Sequence, residues 1–176
     1  MKSSFRSRLA VGSRCLLSGL AVVTLITAAC QSRVQRDQRI QSGGLGLSRT
    51  EWERLHGNAA SQDSGYVYYD DDHGRVVINF MNIAAADIKR VYADHKSVRL
   101  EEARNEVRTL IPDDAKLIRT YDVGARPVDL YSSDSLKAIF RGADYWVNGE
   151  PGQFFVLYFS DNDVVESFEL GLGNNP

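Results

Sequence analysis

The stretch Tyr66–Asn82, YVYYDDDHGRVVINFMN, decides the fold. Two β-prone runs, Tyr66–Tyr69 and Val76–Asn82, flank an Asp-rich turn that ends in His73-Gly74, which predicts a hairpin. In the second run Val76, Ile78 and Phe80 alternate with Val77, Asn79 and Met81, the period of a strand with one well-buried face. A further β-prone piece, Ile88–Ala93, extends the hairpin to a meander. The sheet is therefore expected to be antiparallel.

On its N-terminal side stands LGLSRTEWERLHG, residues 45–57. Ser48 with Glu51 three residues later is a capping box, Leu47 can staple to Trp52, and Gly57 sits where a helix stops. Trp52 is expected to fix this short helix onto the sheet. On the other side, SVRLEEARNEVRTLIP carries Leu100, Ala103, Val107 and Leu110 at helical spacing, acids first and arginines later, with Pro112 as the stop. Residues 115–123 and 126–133 read as two strands around Gly124, and SSDSLKAIF as a short helix capped by Ser132 or Ser133. Phe154–Phe159 is apolar on both faces, the mark of a central strand, and Asp161-Asn162-Asp163 turns it back into Val164–Leu170. VYYDDDHGRVVINF and VLYFSDNDVVESF echo each other, which suggests a repeated unit. The expectation is an α+β domain: an antiparallel sheet with two or three short helices on one face, built as a duplicated helix–hairpin unit.

The first thirty residues belong to a different kind of sequence. Lys2, Arg6, Arg8 and Arg14 make a basic start, and CLLSGLAVVTLITAA, residues 15–29, is an apolar run of fifteen residues. About 20 are needed to cross a bilayer, so the run has the length of a signal-peptide core. Thr27-Ala28-Ala29-Cys30 resembles the lipobox of bacterial lipoproteins. That resemblance implies cleavage of residues 1–29 and acylation of Cys30, with several chains holding the protein on a membrane through lipid alone. Gln31, which is not Asp, implies the outer membrane where the cell has two. Residues 30–47 then read as lipidated Cys and flexible tether, and 48–176 as one globular domain.

Processing would remove four of the 21 basic residues and none of the 23 acidic ones, leaving 17 against 23, a formal −6. Nucleic acid is an unsuitable partner for such a chain. Both cysteines, Cys15 and Cys30, lie at or before the modification point, so no thiol remains for a disulfide or a metal site. The Gly-Leu-Ser helix start ending in Gly57, followed by an aromatic hairpin, is similar to the small α+β envelope domains of the BamE/SmpA-like and β-lactamase-inhibitor-like groups.

Catalytic signatures are missing: there is no GxSxG, HExxH, P-loop or dinucleotide glycine pattern, and no cofactor is expected. Asp70, Asp71 and Asp72 are candidate oxygen ligands for Ca2+, weighed against solvated turn residues. Arg141, Tyr145 and Trp146, together with Tyr66 and Tyr68, are the candidate binding residues, because aromatics and Arg favour interface centres. The expected function is a membrane-anchored, non-enzymatic protein-binding or structural module of the cell envelope. An inhibitor of a secreted or periplasmic enzyme, or a small envelope enzyme, are the alternatives.

Overall fold

The computed structural model describes residues 40–81 and 84–176. The expected signal peptide, Cys30 and the first part of the tether lie outside the described residues, as do Asn82 and Ile83.

The described chain is α+β. Its elements run α1 (Arg49–His56), β1 (Ser61–Asp63), β2 (Tyr66–Asp71), β3 (Gly74–Met81), β4 (Ala84–Tyr92), β5 (Val98–Arg99) and α2 (Leu100–Leu110). They continue β6 (Lys116–Val123), β7 (Arg126–Ser132), α3 (Asp134–Ile139), a 3-10 turn (Ala143–Tyr145), β8 (Gln153–Asp161) and β9 (Val164–Leu172). All strand pairs are antiparallel, and the order across the sheet is β1-β2-β3-β4-β9-β8-β7-β6, with β5 on the end of β9.

This order is two four-stranded meanders, each preceded by a helix, meeting at the antiparallel β4–β9 seam. Such an arrangement has an approximate two-fold axis at the seam, so β2–β3 corresponds to β7–β8. The echo noticed in the sequence joins β2–β3 to β8–β9 instead. It reflects two similar acidic hairpin turns and not the relation between the halves.

The helices form where their ends are satisfied. Ser48 Oγ accepts from the amide of Glu51, whose carboxylate accepts in return from the amide of Ser48 at 3.1 Å. Trp52, 1% exposed, stacks on His56 and lies against Tyr69 of β2, holding α1 to the sheet as expected. Ser133 caps α3, donating to Asp114 while it accepts from the amide of Leu136. Burial raises the Asp114 carboxyl, but Ser133 and the amides at the start of α3 outweigh it and hold Asp114 below its usual range.

Helix α2 presents Ala103, Val107 and Leu110 to the buried faces of Val156, Tyr158, Phe168 and Leu170. Two polar networks fix its position. Arg90 donates to Glu106 at 2.7 Å and to both oxygens of Asp71, while Tyr92 donates to Glu106. Nearer the start of the helix, Arg104 donates to Asp129, a buried carboxylate on β7 that also accepts from Thr120 and Tyr158. Burial, and then the Asp129 charge, push the Tyr158 hydroxyl up, so it remains a donor.

One boundary needs correction. Residues 40–47, expected to belong to the tether, are packed into the domain. Leu45 and Leu47 are buried, the amide of Leu45 donates to Leu110 at 2.7 Å, and the Gly46 amide to Ala85 at 2.8 Å. Gly43 and Gly44 read as flexible, yet they serve close approach: a Cβ on Gly43 would stand 1.9 Å from the Thr109 carbonyl oxygen. The compact unit thus begins at Ile40.

Candidate binding face of the sheet

Successive side chains along a strand alternate between the two faces, and paired residues on neighbouring strands share one. The helices, with Val67, Tyr69, Ile78, Ile88, Val156 and Phe168, occupy one. Register puts the others on a second face that no helix among the described residues covers. One row across it is Tyr68–Val77–Lys89–Glu169–Leu157–Val128–Tyr121. The row beyond carries Asp70, Arg75, Val91, Ser167 and Phe159. Its apolar centre is Val128, Leu130, Phe155 and Leu157, flanked by half-buried Tyr121 and Phe159.

Toward its edges the face becomes wet and aromatic. Tyr66 is 42% exposed, Val91 39% and Val123 43%. Cationic side chains lie over the rings: Arg126 4.8 Å and Lys89 5.2 Å from the centre of Phe159, and Arg119 4.7 Å from that of Tyr121. Such contacts keep part of the apolar surface from water, each contributing about 0.5–1 kcal/mol where exposed.

At one end of this face the sheet is dented. Gly171 stands opposite Phe155 in the β8–β9 pair, and a Cβ on it would meet the Phe155 ring at 2.7 Å. The ring takes the space of the missing side chain, and beside it lies a cavity of about 230 Å³ lined by Asp87, Asp144, Tyr145, Phe155 and Glu169, among others. Burial, and then the Glu169 carboxylate, push the Asp87 carboxyl up to about 7, against the opposing pull of Lys89. A larger hollow, about 700 Å³, lies between the β8–β9 turn and the start of α2. It is lined by exposed turn residues and by the oppositely charged Arg99 and Glu101, with no buried polar group among its lining residues, so it has less chemical definition.

The sequence-selected residues are dispersed differently from the expectation. Tyr66 and Tyr68 lie on the uncovered face, and Tyr145 lines the cavity. Trp146 lies in the core and not on the surface: it is 5% exposed, packs edge-on to Phe140 and donates its indole N–H to the Phe140 carbonyl at 3.1 Å. Arg141 is exposed but donates to the Ala138 carbonyl at 3.0 Å and does not line the cavity. The acidic turn is divided between the two faces. Asp70 pairs with Arg75 at 2.7 Å, which holds its carboxyl low. Burial raises Asp71, but Arg90 and the amides of His73 and Gly74 outweigh it and hold the carboxyl below its usual range. Asp72 is exposed. Among the described residues, no group of three or more His, Cys, Asp or Glu is arranged to hold a metal ion. Nor is any described helix long and apolar enough to cross a membrane.

No family model matches the chain, and no curated protein does. Among solved structures, a cysteine-rich secretory protein from Staphylococcus aureus subsp. aureus Mu50 is similar at a TM-score of 0.38 and 12% identity. The alignment covers 76% of this chain and 47% of that one, so the chain spans about half the length of its neighbour. The likeness is too slight to carry an argument.

Proposed function

We propose that the chain is a lipid-anchored protein of the bacterial cell envelope, extracytoplasmic, and in the outer membrane where the cell has two. It works by binding another protein through the uncovered face of its sheet and catalyses no reaction. The observation that carries this reading is the one-sided cover: the helices pack on one face and leave Tyr66, Val91 and Val123 of the other exposed, around an apolar centre that only side chains of its own face enclose. Aromatic and aliphatic groups on a sheet face without a helical cover suit an interface, whose centres favour aromatic residues.

The carboxylates of the dent raise the competing thought of paired-acid hydrolysis. Its volume, about 230 Å³, falls below the ~300–1,000 Å³ usual for small-molecule sites. The anchor rests on the lipobox at Cys30 and the acidic mature chain.

Affinity capture of the full chain from detergent-solubilised membranes tests the proposal. A stoichiometric protein partner is expected, lost on Val91→Glu and retained on Arg108→Glu, which changes an exposed position of α2. Recovery of no partner, or of one indifferent to Val91→Glu, would count against it.

A further inference from the structure

We propose that the dent beside Gly171 is a socket for a basic side chain, Lys or Arg, of the protein that docks on the sheet face. The inference rests on that docking reading and adds the chemistry of the partner.

The dent is continuous with the face, since Asp87, Phe155, Glu169 and Gly171 are contributed by β4, β8 and β9 at the seam of the two halves. Gly171 has no side chain, so the Phe155 ring leans over it and walls the cavity. The 3-10 turn closes the far wall with Asp144 and Tyr145.

The lining is electrostatically one-sided. Asp87, Asp144 and Glu169 bring three carboxyl groups, and no Lys, Arg or His lines the cavity. Lys89 stands directly across the β4–β9 pair from Glu169 and pulls against the rise of Asp87, but its ammonium lies over the Phe159 ring at 5.2 Å and does not line the cavity. No hydrogen bond or ion pair to Asp87 is formed among the described residues, whereas Asp71 and Asp129 each have an arginine. Two aromatic rings, Tyr145 and Phe155, complete the wall. A carboxylate group with aromatic sides suits an ammonium or guanidinium, which gains charge-assisted hydrogen bonds and ring contacts together. It does not suit an anion or a purely apolar anchor. The raised Asp87 agrees with this geometry: a cation entering the dent favours the ionised carboxyl.

The test uses the 15N-labelled full chain in detergent micelles, titrated with N-acetyl-arginine methylamide, N-acetyl-lysine methylamide (free side-chain amine) and the neutral N-acetyl-norleucine methylamide. Saturable amide shifts centred on Phe155 and Gly171 are expected for the two basic probes. Binding should weaken about ten-fold for the norleucine probe and in Asp87→Asn/Glu169→Gln, the scale of one lost charged contact. Equal binding of the neutral probe, or unchanged binding by the double variant, overturns the socket. A photo-reactive residue in place of Tyr66, in intact membranes, separates this inference from the one beneath it. An adduct that the double variant diminishes supports both. An adduct that it leaves unchanged overturns the socket and keeps the docking face. Basic-probe binding without any Tyr66 adduct overturns the protein partner and leaves a site for a free amine.

Discussion

Replacing Asp87 by Asn should make the protein more stable at neutral pH and flatten part of its pH dependence. The Asp87 carboxyl is raised from an ordinary 3.8 to about 7 by burial and by Glu169. Between those values the folded chain holds a proton that the unfolded chain has released, so stability falls as pH rises through this window and levels off above it. At ~1.4 kcal/mol per pH unit, the ceiling is about 4 kcal/mol. Because the dent opens to solvent, screening reduces the expected effect to about 1–3 kcal/mol. Asp70, Asp71 and Asp114 are held low and contribute in the opposite sense, losing stability as pH falls. The difference between wild type and variant removes their contribution. Urea unfolding followed by circular dichroism at pH 4, 6 and 8 measures it. Asp87→Asn should match the wild type near pH 4 and exceed it by the stated amount at pH 8. Parallel curves, or a variant less stable at pH 8, would refute the assignment of Asp87 as a desolvated acid.

Other consequences are open to direct measurement. Trp52→Ala should cost about 3–5 kcal/mol in the same unfolding experiment, the range for deleting a buried aromatic ring, because Trp52 is almost wholly enclosed between α1 and β2. Arg104→Ala leaves the buried Asp129 carboxylate without its cation and should cost about 3–5 kcal/mol; adding Asp129→Asn should recover part of that loss, read as a coupling energy in a double-mutant cycle. Gly171→Ala drives a methyl into the Phe155 ring and should destabilise by about 1–3 kcal/mol, with a shift of the Phe155 ring resonances. Cys30→Ser should move the protein from the membrane fraction to the soluble one, and mass spectrometry of the wild-type N-terminus should find diacylglycerol on Cys30.

The fold was legible wherever one residue type controlled one local decision. Ser48 and Glu51 started α1, Ser133 started α3, and the alternation in Val76–Ile78 located a strand, because each works over a few residues of chain. Phe80 shows the limit: the register shifts between Asn79 and Phe80, so the alternation breaks at a bulge that no local pattern announces. Gly43-Gly44 misled for a related reason. Glycine signals freedom in a chain, and the same missing side chain allows close contact when a distant α2 supplies the surface. The candidate face was less legible. Tyr66 and Tyr68 could be chosen for type, and their alternation with buried Val67 and Tyr69 fixed their face once the helices were placed. The burial of Trp146 was not legible, because an aromatic in a loop has the same composition whether its indole N–H faces outward or meets the Phe140 carbonyl. Asp87, Asp144 and Glu169 stand 25 to 82 positions apart. Only the β4–β9 seam and the 3-10 turn bring them together, although a lone acid inside the apolar run Ala84–Ile88 was a usable sign of a buried carboxyl.

The central claim is that the uncovered sheet face, and not the helical one, meets another protein. Photo-reactive residues placed singly at Tyr66, Val91 and Val123, and on the opposite side at Arg108 and Lys137, test it in intact membranes. The account predicts one common protein adduct from the first three positions and none from the other two. Adducts confined to Arg108 and Lys137, or none at all, would contradict it.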